Sequence, residues 1–398
     1  MTESPRSDSE ESRVGAQTSR RHLLQTAAGV GVGALLGAGQ AGTSASGGDQ
    51  QWAFETGDRV RASPTVAGGT VFIGSHDNHV YALDTATGEE KWTFETGFSV
   101  RSSPTVVDGT VFVGSDDHHV YAVDAATGDE QWRFETSWPV SVAPKVTDGT
   151  VFISSRDAHV YALDVTTGDE QWQFETSDPV WSSPTVVDGT AFVGSWDHHL
   201  YALDAKTGDQ RWAFETGDRV NSSPTVVDGT VFVGSRDDNV YALDAETGDG
   251  RWAFETSDRV EASPTVADGT LFVGSRDNHL YALDAETGNQ QWAFEAGSSV
   301  HSSPTVADGT VFVGSRDSNV YALDAGVDGS SECSRTYLGT LGHHDQEVTF
   351  DEEIDHPDDL DADFAADEQL PGIGVGTALA GIGAAGYLLK RRLDEAEQ

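Results

Sequence analysis

Seven copies of a forty-residue unit, each readable as four short strands, predict an all-β chain: a seven-bladed β-propeller of four-stranded antiparallel blades over residues 46–325. Three observations carry this. Trp52, Trp92, Trp132, Trp172, Trp212, Trp252 and Trp292 stand forty residues apart. Tyr-Ala-Leu-Asp or Tyr-Ala-Val-Asp begins at Tyr81, Tyr121, Tyr161, Tyr201, Tyr241, Tyr281 and Tyr321. Pro64, Pro104, Pro144, Pro184, Pro224, Pro264 and Pro304 keep the same period, and no copy carries an insertion. One such unit cannot bury both its faces, so each has to pack on its neighbours.

Residues 101–136 show how each element arises. Residues 102–107 read as strand A, with Pro104 near its start, where a missing N–H is tolerated. Asp108-Gly109 is a tight hairpin turn. Strand B covers 110–115, a turn follows at 116–118, and strand C covers 119–125 with apolar and polar residues alternating. After a second turn, strand D at 131–136 sets Trp132 and Phe134 on one face. The repeat is out of phase with the chain ends. It begins with a lone strand D at 51–56 and ends with strands A, B and C at 301–325. The N-terminal strand is therefore expected to complete the last blade and close the ring, removing an open edge. An eighth blade would have to come from residues 331–350, which lack the pattern.

The ends read as processing signals. Residues 1–45 hold Ser19-Arg20-Arg21, then Leu23, Leu24 and an Ala/Gly/Val/Leu run. This resembles a twin-arginine export signal, although Leu23 stands where that signal has Phe. Residues 326–369 are acidic and poor in apolar residues, an extended, self-repelling stalk. Asp359, Asp361 and Asp363 alternate as in a calcium loop, but the required Gly and terminal acid are missing. Residues 370–398 hold an uncharged span at 370–389, about one bilayer core long, then Lys390-Arg391-Arg392. That order places the propeller outside the membrane. It also resembles the PGF-CTERM sorting signal of archaeal surface proteins, with Ile373 where that signal has Phe. The expected location is the extracellular face of the cell membrane, with attachment through the C-terminus.

Composition narrows the function. The formal net charge is -43, and Lys occurs only at Lys91, Lys145, Lys206 and Lys390. Such a surface stays hydrated at very high salt, and we read the source as a halophile, a haloarchaeon. Nucleic-acid phosphates would be repelled. The single Cys333 excludes an intramolecular disulfide, cysteine zinc clusters and c-type haem attachment.

The segment "ALDAETGNQQW" fits the pattern Ala-x-Asp-x-x-Thr-Gly-x-x-x-Trp, which recurs from Ala82–Trp92 to Ala282–Trp292. It resembles the tryptophan-docking repeat of PQQ-like propellers, a group that includes quinoprotein dehydrogenases and the outer-membrane assembly lipoprotein of Gram-negative bacteria. The resemblance implies that each Trp packs between blades and is held by the Thr-Gly turn. The quinoproteins place a vicinal cysteine pair over their cofactor and carry long active-site insertions. This chain has neither, so no cofactor and no catalytic residue is expected.

Two windows vary between copies. One lies between strands D and A, the other between B and C, and in an antiparallel blade both emerge at the same end. Phe98, Trp138, Trp181 and Trp196 form an aromatic sector there, of the kind that anchors interfaces. Arg59, Arg61, Arg101, Arg219, Arg236, Arg259, Arg276 and Arg316 form a basic sector suited to an anionic partner. Pairing with adjacent acids, as in Asp58-Arg59 or Arg276-Asp277, is the plainer account of those Arg. Packing between neighbouring loops is the plainer account of the aromatics. The innermost position reads Arg61, Arg101, Ser141, Trp181, Asn221, Glu261 and His301, a ring expected at the channel mouth. The Asp shared by every B–C turn, from Asp77 to Asp317, is expected to be structural. His and Asn interchange at the start of strand C, which implies a shared hydrogen bond and not a metal ligand. Asn221-Ser222-Ser223 is the one glycosylation sequon.

The expected function is a non-catalytic, monomeric scaffold that presents one face to an envelope protein or surface polysaccharide. A quinoprotein-like dehydrogenase and a structural surface-layer component are the alternatives.

Overall fold

The computed structural model describes residues 51–331. The export signal, residues 332–369 of the stalk, the C-terminal span and nearly all of 331–350 lie outside the described residues. Met1–Ala53 forms one unit and Phe54–Gln398 a second. Of the first, Gln51–Ala53 is described and carries no strand. All the strands belong to the second.

They form seven antiparallel sheets, six of four strands and a last one of three. In the second blade strand A is Thr105–Val107, B is Thr110–Gly114, C is His119–Asp124 and D is Glu130–Glu135. Strand A is shorter than the sequence suggests, because the residues up to Pro104 precede its pairing with strand B. Asp108 and Gly109 have φ of 47° and 76°. Two left-handed central residues make the type I′ turn whose twist matches the flanking strands.

The core lies between blades. Phe72, Val80, Ala82 and Trp92 of one blade meet Val106, Val111, Val113, Tyr121 and Val123 of the next. Each buried Trp is fixed at both ends. The Trp92 indole N–H donates to Ala125 O at 3.0 Å, and Trp132, Trp172, Trp212 and Trp252 repeat this with Val165, Ala205, Ala245 and Ala285. The ring also covers the Thr-Gly turn of that next blade. A Cβ on Gly208, whose φ is +75°, would lie 2.7 Å from the Trp172 ring. The turn is held by its own Asp: Asp84 Oδ1 accepts the N–H groups of Ala86 and Thr87, both at 3.0 Å. The innermost strands are linked as well, since Thr65 Oγ1–H donates to Pro104 O at 2.6 Å and Thr225 to Pro264 at 2.7 Å. Lys145 takes the Thr position in the third blade and is buried.

The seam between the last and first blades departs from expectation. The seventh sheet ends on its third strand, Val320–Asp324, and residues 51–56 form no strand. Phe312 and Val320 are 40% and 80% exposed, whereas Phe72 and Val80 at the same places in the first blade are 1% and 0%. The contacts of this stretch with the following blade are nonetheless the regular ones. Phe54 packs edge-on against Tyr81 at 5.1 Å, as Phe94 does against Tyr121, and the Gly57 N–H donates to Asp77, so this stretch is held on the first blade. After Asp324 the sequence leaves the repeat. The Ser331 N–H donates to Val306 O at 2.9 Å and the Gly309 N–H to Gly329 O at 3.1 Å, so the chain turns back along the innermost strand.

Trp172→Ala should lower the unfolding free energy by about 3–5 kcal/mol, the usual loss for a buried aromatic. Gly208→Ala should also destabilise, through strain at positive φ and collision with the same ring. Urea denaturation measures both, and unchanged midpoints would refute the docking account. A second expectation concerns acid. Arg211 at 2.7 Å and the N–H of Lys206 hold Asp204 at about 2, and Arg251 and the N–H of Thr247 hold Asp244 at about 2. These folded values lie below the ordinary ~3.9 of an unfolded Asp, so the stabilisation is full above about pH 4 and is lost toward pH 2. The stability gap between the parent and an R211Q/R251Q variant should close over that window. A gap independent of pH would rule out these carboxylates as its source.

Candidate binding face and channel mouth

The two variable windows meet through backbone hydrogen bonds. The Asp116 N–H donates to Ser99 O at 2.9 Å, and the Val100 N–H donates to Ser75 O of the preceding blade at 2.9 Å. The shared Asp secures the same end of every blade. Asp77 Oδ2 accepts the Gly57 N–H at 2.6 Å and the Tyr81 hydroxyl at 2.8 Å, and Oδ1 accepts the His79 N–H. Asp117, Asp157, Asp197, Asp237, Asp277 and Asp317 each hold the corresponding N–H of the previous blade's D–A window. Burial alone would raise the Asp277 carboxyl, but the Ser257 N–H, the Tyr281 hydroxyl and the His279 N–H outweigh it and hold the group below the usual range. Burial and the Asp77 carboxylate push the Tyr81 hydroxyl up to about 12. The His–Asn exchange has a direct explanation: His79 Nδ1–H and the Asn239 side-chain amide each donate at 2.9 Å to the carbonyl of the turn Asp.

With these groups committed to the scaffold, the individual residues are free to differ, and they form three groups around the mouth. In the first, Arg101 Nε lies 2.8 Å from Asp116, whose other oxygen accepts the Ser141 hydroxyl at 2.8 Å. In the second, Trp181 and Trp196 stack at 5.1 Å and 11°, with Arg156 over Trp181 and Arg219 over Trp196, each at 4.2 Å. Each capping contact contributes about 0.5–2 kcal/mol. In the third, Glu261 receives Arg236 at 3.1 Å, Arg276 at 3.0 Å and His301 at 3.3 Å. Burial opposes ionisation of Glu261, but His301, foremost, and the two Arg hold its carboxyl below the ordinary range.

Two expectations change here. The aromatic sector divides: Phe98 and Trp138 are 57% and 60% exposed, whereas Trp181 and Trp196 have their faces covered by each other and by Arg. His118 lies stacked beside Trp138 at 6.4 Å. Nor do the Arg simply pair with adjacent acids. Arg276 binds Glu261, fifteen positions back in the chain, because Asp277 is occupied by Tyr281 and Ser257. Asp58–Arg59 is a loose exposed contact of 3.9 Å, and Arg61 and Arg316 are exposed.

Glu261 as a hub, Asp116 as a bridge and the Trp–Trp stack were missed from sequence. A signal was present: the first B–C residue and the innermost D–A residue change together within a blade, as Arg101 with Asp116, Trp181 with Trp196 and Glu261 with Arg276. Eight buried atoms of this rim have no hydrogen-bond partner among the described residues: Nε2 of His76 and His301, Nε1 of Trp181 and Trp196, Oδ1 of Asn221, and Nε of Arg101, Arg236 and Arg276, which have ion-pair contacts only. Buried polar atoms ordinarily find a partner, so the mouth is a place prepared for water or ligand. Among the described residues no cluster of three His, Cys, Asp or Glu could hold a metal, and no helix is long and apolar enough to cross a membrane.

Comparison with known proteins follows from this architecture. Overlapping segments 39–144, 99–182, 136–223, 156–261 and 236–331 match the family described as outer membrane protein assembly factor BamB. BamB from Moraxella catarrhalis superposes with a TM-score of 0.61 at 19% identity, covering 68% of this chain and 86% of that one. The computationally designed Ika8 protein gives 0.61 at 18% identity, with coverage of 67% and 83%. At these identities the likeness is one of fold. No curated protein sequence matches the chain.

Two stacked indoles couple their electronic transitions, so the protein should show a pair of far-ultraviolet dichroism bands of opposite sign. Trp196→Ala should abolish the pair without loss of folding, while Arg156→Gln should leave it. An unchanged spectrum in the Trp196 variant would refute the stack.

Proposed function

The chain belongs to the family described as outer membrane protein assembly factor BamB, and from that premise we propose a non-catalytic binding propeller, held on the outer face of the cell membrane, that captures an envelope protein or polysaccharide. The fold alone does not assign a function. The observation that carries the reading is the concentration of uncommitted groups at one end: eight buried polar atoms without a hydrogen-bond partner among the described residues, and beside them the exposed Phe98 and Trp138. Elsewhere the blades repeat the same Trp, Gly and Asp contacts. The paired arginines Arg20 and Arg21 and the span 370–389 support export and attachment. A non-catalytic role is supported by the shared Asp of each B–C turn and the His or Asn two residues on, whose hydrogen bonds serve the scaffold.

One observation favours a second reading, a structural surface-layer component. The seventh blade leaves Phe312 and Val320 uncovered, and the first leaves Val66 uncovered. Unlike faces that meet between copies make a contact that propagates. Sedimentation of the pure protein at high salt separates the readings, since a layer component grows with concentration and a binding module remains a monomer.

For the binding reading, the full chain and a Phe98→Ala/Trp138→Ala variant are immobilised and exposed to detergent-solubilised envelope from the native cells. The parent should retain a partner that the folded variant loses. Protease and periodate treatment of the envelope beforehand tell protein from polysaccharide. Equal retention by both would remove the exposed aromatics from the function, and a bound quinone seen by its absorbance would replace binding with catalysis.

A further inference from the structure

We propose that Arg236, Arg276 and His301, gathered around Glu261 at the channel mouth, form a recognition site for the carboxylate of an acidic sugar, a uronate unit of a polysaccharide. This rests on the binding reading above and names its ligand class.

The first argument is charge. One carboxylate balances one guanidinium, yet Glu261 has two within 3.1 Å and an imidazole at 3.3 Å. In a chain of net charge -43, a local surplus of positive charge is out of keeping with its surroundings. The four side chains are between 15% and 27% exposed, recessed but reachable. Surplus charge in such a place is costly until an outside anion offsets it.

The second argument is geometry. Arg236 approaches Glu261 Oε1 and Arg276 approaches Oε2, each through Nε. Glu261 therefore stands between the two guanidinium groups and pairs with each by charge, without a hydrogen bond from either Nε. A guanidinium carries five N–H donors in a plane, so each keeps its Nη groups after that contact. Neither Arg makes a side-chain hydrogen bond among the described residues, and Nε of each is buried with an ion-pair contact only. Two anchored planar forks match a planar oxyanion.

The third argument selects the sugar. The ring positions on either side of Glu261 are Asn221 and His301, whose Oδ1 and Nε2 are buried without partners. A sugar hydroxyl both donates and accepts, so one ligand can serve an amide oxygen and an imidazole nitrogen together.

Calorimetric titration of the full chain at constant salt tests this with D-glucuronate, glucose and an N-acetylated, amidated aspartate. Glucuronate should bind saturably and glucose at least about tenfold more weakly, the scale of a charge-assisted hydrogen bond. Arg236→Gln and Arg276→Gln should each weaken glucuronate by about tenfold. Glu261→Gln should strengthen it, because the competing carboxylate is gone while both guanidinium groups remain. Asn221→Ala should weaken glucuronate and leave any binding of the aspartate derivative unaffected. Equal binding of glucuronate and glucose, or none, overturns the site. So does a Glu261→Gln variant that loses glucuronate as the Arg variants do. Tighter binding of the aspartate derivative overturns the sugar class. A parent chain that captures a partner through Phe98 and Trp138 but does not bind glucuronate sinks this site alone. Absence of any captured partner sinks the broader reading instead.

Discussion

Everything in this molecule depends on a tryptophan of one blade docked on the next blade's turn. The indole N–H is committed to a carbonyl of that turn, and the ring face is committed to a glycine there. Because the acceptor and the glycine belong to the neighbour, the contact sets how one blade sits on the next. The Asp that caps the turn and the Thr–Pro bonds near the axis reinforce the same relation at other radii. A blade taken alone would expose the apolar face that its neighbour covers, so stability here is a property of neighbouring pairs.

The same economy explains where variation is allowed. The shared Asp of the B–C turn ties down an N–H of the preceding blade and the Tyr hydroxyl of its own, so the loops keep their backbone course whatever side chains they carry. The position just ahead of the innermost strand can then be Arg, Ser, Trp, Asn, Glu or His without cost to the frame. A rigid support with a freely chosen rim suits recognition better than chemistry, which needs several groups of matched basicity placed on one reacting atom.

The rim is electrically unlike the rest of the protein. On an acidic surface the guanidinium groups are drawn inward, onto Glu261, onto Asp116 and onto the faces of a tryptophan pair. Exposed ion pairs contribute little, whereas these are half-buried and share partners, so removing one member leaves the others unbalanced. The seam is the second irregular place. There the chain departs from its repeat after Asp324, and the apolar face that every other blade hides is left in solvent.

The forty-residue period, the four strands, the tight A–B turn and the structural role of the turn Asp were legible in the sequence, because each depends on local spacing or backbone conformation and recurs often enough to be read, whereas the docking of Trp on the Thr-Gly turn came from the family resemblance. The end of the molecule that varies was legible too, since the direction of antiparallel strands decides it. Whether the ring closes was not: residues 51–56 have the composition of a fourth strand and keep the regular contacts of a strand D with the following blade, yet form no strand. Nor were the partners at the mouth. Arg276 stands next to Asp277 in the chain yet binds Glu261, because the turn had already claimed the nearer carboxylate. Periodicity is written into a sequence, whereas the choice among several charged partners is made only when the fold has brought them within reach.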